Sequence, residues 1–196
     1  MATDLHAHFD LLIRPNFLDA AECARIVAQM RAGESAAATV YGTTPATGAI
    51  DANIRRALRH APAAQTLALI RRRLDTFLHE ASRHFAIELT ECEEPQFLRY
   101  RVGDFFVAHQ DGNTGLLRLD SEARRVSVII FLGNRSDAPA VDAYCGGSLV
   151  FHDWRADRRL EFAGEAGTLV AFRAETTHEV MPVTHGERCS IVAWYR

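Results

Sequence analysis

The chain has 196 residues, a formal net charge of −3, 48% hydrophobic and 24% charged residues, the size and balance of one soluble globular domain. All 22 basic residues are arginine. The absence of lysine excludes a Schiff-base lysine, a pyridoxal phosphate anchor and a Walker-type phosphate lysine. The slightly acidic balance offers no attraction to nucleic acid or anionic lipid, and no apolar run approaches the roughly 20 residues of a membrane helix. The opening MATDLHAHFDLLIRP has no basic segment followed by a long apolar one, so no signal peptide is expected. Cys23, Cys92, Cys145 and Cys189 form no CxxC pair. That argues against a zinc ribbon or a disulfide scaffold and for a reducing cytoplasm. The oligomeric state is left open.

In chain order, the terminus carrying His6 and His8 reads as frayed. Asp19 then caps a helix whose apolar positions Ile26, Val27 and Met30 repeat at helical spacing until Gly33. Residues 34–52 are small, polar and rich in Gly and Thr, and predict a strand fragment with a mobile loop. Residues 61–86 predict a long helix through Leu67, Ile70, Leu74, Phe77, Leu78 and Phe85, with Arg71, Arg72 and Arg73 on a solvated face. From about residue 95 the pattern changes to short strands between Gly/Pro turns: 96–102, 126–132, 146–151, 158–162, 168–172, 178–183 and 188–195. The predicted fold class is mainly β with N-terminal helices (α+β), an antiparallel sandwich or barrel buttressed by helices. A single domain is expected, with helices and a lid segment over 1–94 and a β core over 95–196.

Among nine histidines, His6, His8, His60, His79, His84 and His185 read as structural. His109 differs, because Asp111 follows two residues later and the two project to one face of an extended chain. If a later strand returns beside this one, His178 completes two imidazoles and one carboxylate, the donor set of a non-haem Fe(II) centre. Ten residues further, Arg188 and Ser190 share a strand face. A planar guanidinium beside a hydroxyl suits a small dicarboxylate; the alternative is a buried Arg–Glu pair holding one end of the barrel.

FLRYRVGDFFVAHQD, RRVSVIIFLGN, GGSLVF, GEAGTLVAF and HEVMPVTHGERCSIVAWY, in this order over 95–196, resemble the Fe(II)/2-oxoglutarate-dependent dioxygenases, in their prolyl 4-hydroxylase-like branch. The resemblance implies a distorted double-stranded β-helix, or jelly roll. It makes His109, Asp111 and His178 the iron ligands, Arg188 with Ser190 the holders of the distal carboxylate of 2-oxoglutarate, and Tyr100 a hydrogen-bonding partner of that cosubstrate. It implies Fe(II) and 2-oxoglutarate as cofactors, with ascorbate as an admissible third. The implied reaction hydroxylates an unactivated C–H bond of a prolyl residue or a free amino acid, with O2 as co-reactant and succinate and CO2 as products.

Three departures sharpen the reading. Phe131 stands where some prolyl hydroxylases place a second tyrosine. Arg188 stands where many members have lysine. Trp194 occupies the position of a second arginine found in nucleic-acid demethylases, which argues against nucleobase repair. Asp111 is present where halogenating relatives lack the carboxylate, so hydroxylation is expected. A cupin-like metal enzyme, which does not require Arg188 and Ser190 to face the metal, or a non-catalytic metal-binding barrel, which would bind metal or 2-oxoglutarate poorly, is the alternative. Residues 36–52 are expected to act as a lid over the site, with a passive surface connection as the alternative; failing a lid, substrate recognition falls to the 112–124 and 133–145 loops.

Overall fold

The structure is a computed structural model, and it describes residues 2–40, 50–112 and 124–196. The N-terminal half contributes α1 (Ala2–His8), β1 (Leu12–Arg14), α2 (Ala20–Ala32), β2 (Ser35–Ala37), β3 (Arg55–Arg56), β4 (Leu58–His60) and α3 (Ala64–Phe85). The second half contributes β5 (Gln96–Tyr100), β6 (Phe105–His109), β7 (Val126–Phe131), β8 (Asn134–Arg135), β9 (Ala143–Gly146), β10 (Leu149–Asp153), β11 (Arg158–Phe162), β12 (Leu169–Arg173), β13 (Thr177–Val180), β14 (Val183–His185) and β15 (Arg188–Tyr195).

Among the described residues these strands form a seven-stranded sheet, β1-β12-β7-β15-β5-β4-β2, a five-stranded sheet, β11-β10-β13-β6-β3, and a small sheet, β14-β9-β8. The two larger sheets enclose a core of Ile129, Phe131, Leu149, Phe151, Leu160, Phe162, Val170 and Phe172. The other face of the seven-stranded sheet carries α2 and α3, through Ile26, Met30, Ile70, Leu74, Phe77 and Phe85 against Val128, Ile130, Ala171 and Ile191. Covered on both faces, β7 is buried at every position, as a central strand must be.

Local chemistry accounts for the helices. Asp19 and Glu22 form a reciprocal capping box, the Glu22 amide donating to Asp19 Oδ1 at 2.7 Å and the Asp19 amide to Glu22 Oε2 at 2.9 Å. Arg73, expected on a solvated face, instead reaches back to that cap. It donates to Glu22 at 2.6 Å and to the Phe17 carbonyl at 2.7 Å, locking α3 to the start of α2.

The terminus expected to fray forms α1 instead, because Phe9 and Leu11 just beyond it insert into the inter-sheet core. The predicted strand 178–183 divides into β13 and β14 around Pro182, which has no amide hydrogen for a ladder. β1, β3, β4, β8 and β9 were not predicted. Of the expected lid, residues 36–37 belong to β2 while 41–49 lie outside the described residues, as do 113–123 of the 112–124 loop. Among the described residues no helix is long and apolar enough to cross a membrane.

Candidate active site

His109 ends β6, and β13 lies antiparallel to it with His178 directly opposite His109. Asp111 follows, its amide and that of Gly112 both donating to the Ala174 carbonyl, at 2.9 and 3.1 Å. This backbone clamp turns the carboxylate toward the two rings. His109 Nε2 lies 3.5 Å from Asp111 Oδ1, and His178 Nε2 lies 3.4 Å from Oδ2. The three potential ligand atoms all fall within 4.8 Å of one another.

The other imidazole nitrogens fix the tautomers. His109 Nδ1 donates to the Val107 carbonyl at 2.8 Å and His178 Nδ1 to the Thr176 carbonyl at 2.9 Å. Since a carbonyl can only accept, both Nε2 lone pairs are left free for a cation. Ser127, fully buried on β7, donates to Asp111 Oδ2 at 2.7 Å. The rings are held by aromatic neighbours: Phe106 stacks on His109 at 3.6 Å, and Phe172 meets His178 edge-on at 4.7 Å.

Electrostatics favour the ligand-ready state. Burial alone would raise the Asp111 pKa, but His178 and His109 outweigh it and hold the carboxyl well below its usual range. Burial, with help from His109, pushes His178 down to about 4. Near neutral pH the site is therefore one carboxylate and a neutral His178 imidazole, the forms that bind a divalent metal. Side-chain exposure rises from 5% at His178 to 10% at Asp111 and 18% at His109, so the site opens on the β6 side.

Arg188 begins β15, in register with Tyr100 on β5, while Ser190 is in register with Phe131 on β7. Residues in register share a face, so all four line the inward side of the seven-stranded sheet. The guanidinium carbon is 5.4 Å from the Tyr100 ring centre and 5.1 Å from that of Phe131. Arg188 is 1% exposed, and Nη1 donates to Ser190 Oγ at 3.1 Å. Its Nε and Nη2 are buried with no acceptor among the described residues. The Arg–Glu alternative does not occur among the described residues, because Glu187 turns away to Arg31 and Arg99.

Gly147 makes room for this cradle. Its φ is +60°, and a Cβ there would stand 3.1 Å from Arg188 Cδ, 3.0 Å from Val183 Cγ2 and 3.4 Å from Tyr144 Cε2. A buried guanidinium fork with unused donors fits a bidentate carboxylate, and two imidazoles with one carboxylate fit Fe(II). The residues present therefore suit both cofactors.

The sequence reading missed three contributors. Ser127 was findable, as a lone hydroxyl in an otherwise apolar strand. Phe106 lies three residues before His109. Tyr144, two residues before the Gly pair, lines the Arg188 cradle, and burial raises its phenol while the neighbouring guanidinium partly offsets that. By contrast, His8 and His84 sit apart from the site, against Asp153 and Asp10.

A jelly roll that brings together two histidines from adjacent strands and the aspartate just beyond one of them presents the donor set of a non-haem Fe(II) centre. The chain belongs to the 2OG-Fe(II) oxygenase superfamily, whose family model matches residues 95–196. It is 35% identical over 105 residues to a PKHD-type hydroxylase of Shewanella oneidensis, an alignment taking 51% of this chain and 41% of that protein. It is 38% identical over 102 residues to a PKHD-type hydroxylase of Burkholderia lata, with the same shares. The chain thus aligns with well under half the length of these curated relatives. A Pseudomonas putida prolyl-4-hydroxylase has the same fold, with a TM-score of 0.71 at 24% identity over 100% of this chain and 96% of the other. A Trichoplax adhaerens prolyl hydroxylase, solved with a hypoxia inducible factor peptide fragment, gives 0.74 at 17% identity over 100% and 87%.

Proposed function

We propose that this chain is an Fe(II)- and 2-oxoglutarate-dependent hydroxylase acting on an unactivated C–H bond, of a prolyl residue in a peptide or of a free amino acid. The carrying observation is the pair of complementary sites: a triad whose ligand atoms converge within 4.8 Å, and a buried Arg188 whose Nε and Nη2 have no partner among the described residues. A cupin-like enzyme has no use for the second.

In this reading His109, Asp111 and His178 hold the metal, and Arg188 receives the distal carboxylate of 2-oxoglutarate. Bound together, Fe(II) and 2-oxoglutarate supply the oxidising chemistry, by which substrate, O2 and 2-oxoglutarate become hydroxylated product, succinate and CO2. The protein's own contribution is orientation. Val107 and Thr176 carbonyls aim the imidazoles, Ser127 steadies the carboxylate, and Ser190 holds one arm of the Arg188 fork while keeping its own hydroxyl proton to donate. Tyr100 and Phe131 exclude water from the guanidinium, which strengthens its attraction for an anion. We further assign the chain to a single catalytic unit, residues 1–94 buttressing 95–196, in a reducing cytoplasm; the free thiols Cys23, Cys92, Cys145 and Cys189 support the latter.

The test is anaerobic addition of Fe(II) and 2-oxoglutarate, followed by succinate release in air with ascorbate present. A weak visible charge-transfer band is expected in the wild type. His178→Ala should lose the metal by elemental analysis. Arg188→Ala should keep it. Metal retention in His178→Ala, or no 2-oxoglutarate binding to the Mn(II)-loaded wild type, overturns the assignment.

A further inference from the structure

Strand β3 is the edge of the five-stranded sheet, beside β6. It sets Arg55 opposite Phe106, and Phe106 stands opposite Val180 on β13. Partners in register share a face, and Val180 shares one with His178 two residues earlier. Arg55 therefore lies on the same inward face as the metal-site histidines, at the rim of the sheet. The Arg55 guanidinium carbon is 4.7 Å from the centre of the Phe106 ring that stacks on His109. One aromatic ring touches both groups, on the side where the site is most open.

Arg55 is only 9% exposed. Nη1 donates to the Thr39 carbonyl at 2.9 Å, while Nε is sealed from solvent with no acceptor among the described residues. No carboxylate pairs with it among the described residues. A buried cation without a counter-charge is costly, and a tie to one carbonyl needs no charge. The neighbouring Arg56 makes a useful contrast. It packs over Phe105 at 4.7 Å on the opposite face, where it is exposed to solvent. Arg188 has the same combination of burial and unused donors as Arg55, and the distal carboxylate of 2-oxoglutarate answers it there.

We propose that Arg55 is a substrate-binding residue that receives a carboxylate of the molecule being hydroxylated, so that the preferred substrate is an acid. Because a single ring separates the guanidinium from His109, that carboxylate belongs to the reacting residue itself or to the one beside it. Two sources meet this: the α-carboxylate of a free amino acid, and an acidic side chain next to the target in a peptide. The proposal rests on the oxygenase reading above.

The experiment uses protein loaded anaerobically with Fe(II) and excess 2-oxoglutarate, and follows the visible band as probes are added. L-Proline is compared with L-prolinamide, and the acetylated, amidated dipeptide Pro-Glu with its Pro-Gln counterpart. In the wild type one acid should half-saturate at a concentration about tenfold or more below that of its amide, the worth of one charge-assisted hydrogen-bond pair. Whichever pair discriminates identifies the source of the carboxylate. Arg55→Met, which keeps the apolar stem on Phe106, should form the same band with 2-oxoglutarate but treat acid and amide alike; Arg55→Gln serves if the methionine variant does not fold. Equal response to acids and amides in the wild type, including no response to any, overturns the proposal. So does discrimination that survives in the variants. Failure of the band to form in the wild type instead sinks the oxygenase reading, and this proposal with it.

Discussion

Ser127→Ala isolates the hydroxyl that steadies the metal-site carboxylate. Ser127 Oγ donates to Asp111 Oδ2 at 2.7 Å from a fully buried position, flanked in register by Phe172 and Trp194. Alanine removes the donor and leaves Oδ2 of the buried carboxylate without it. A hydrogen bond to a charged group contributes about 1.5–3 kcal/mol, equivalent to about 10- to 150-fold in an equilibrium constant. Measured effects of partners that orient metal ligands fall at about 10- to 100-fold, so metal affinity should weaken within that range. Competition between the protein and a chelating dye for Mn(II) measures it, with a thermal melt by circular dichroism to show that the variant is folded. A folded Ser127→Ala protein whose Mn(II) affinity stays within about twofold of wild type would mean that the Ala174 clamp alone orients Asp111.

Three further outcomes are expected. Arg188→Met should keep Mn(II) but lose 2-oxoglutarate affinity by on the order of 2–5 kcal/mol, since a buried charge pair is broken; isothermal titration reads both. Gly147→Ala should destabilise the fold by about 1–2 kcal/mol for its left-handed backbone, and should weaken 2-oxoglutarate as well, because the new methyl displaces the Arg188 stem; urea unfolding and the same titration separate the effects. His60 is buried, neither ring nitrogen is bonded among the described residues, and burial, then the Arg99 charge, lowers its pKa. Below the ordinary imidazole value of about 6.5 the unfolded chain takes up a proton that the folded one refuses. Stability should therefore fall as pH drops through that range, by up to about 1.4 kcal/mol per pH unit from this group, and His60→Leu should flatten the slope in denaturant titrations run at several pH values.

The legible part of this molecule was the part written in local periodicity. His109 and Asp111 share a face by strand alternation, as do Arg188 and Ser190, and the long helix announced itself by its apolar stripe. What stayed hidden depends on which strands become neighbours. β3 and β4 are Arg55–Arg56 and Leu58–His60, too short and too polar to signal a strand. They become one only by pairing with β6 and β5. Arg55 consequently could not be linked to His109 from the sequence, nor Tyr144 to Arg188. Ser127 stood out as the lone hydroxyl of its strand, but its direction did not: a strand buried on both faces reads as a continuous apolar run, so no alternation marks its inward side. Arg73 looked solvated because its helix face is; its partners, Glu22 and the Phe17 carbonyl, come from another element.

The pairing of His109 with His178 also dictates when the site can exist. The two strands are neighbours in the sheet but are separated along the chain by most of the barrel, and the Ala174 carbonyl that clamps Asp111 comes from the same late stretch. Bringing such distant segments together costs chain entropy that only a largely folded barrel recovers. An unfolded or half-synthesised chain presents His109 and Asp111 without their third partner, and holds a divalent ion weakly. Metal capture is thus deferred to the finished fold, when the aromatic walls that shield the centre from water already stand.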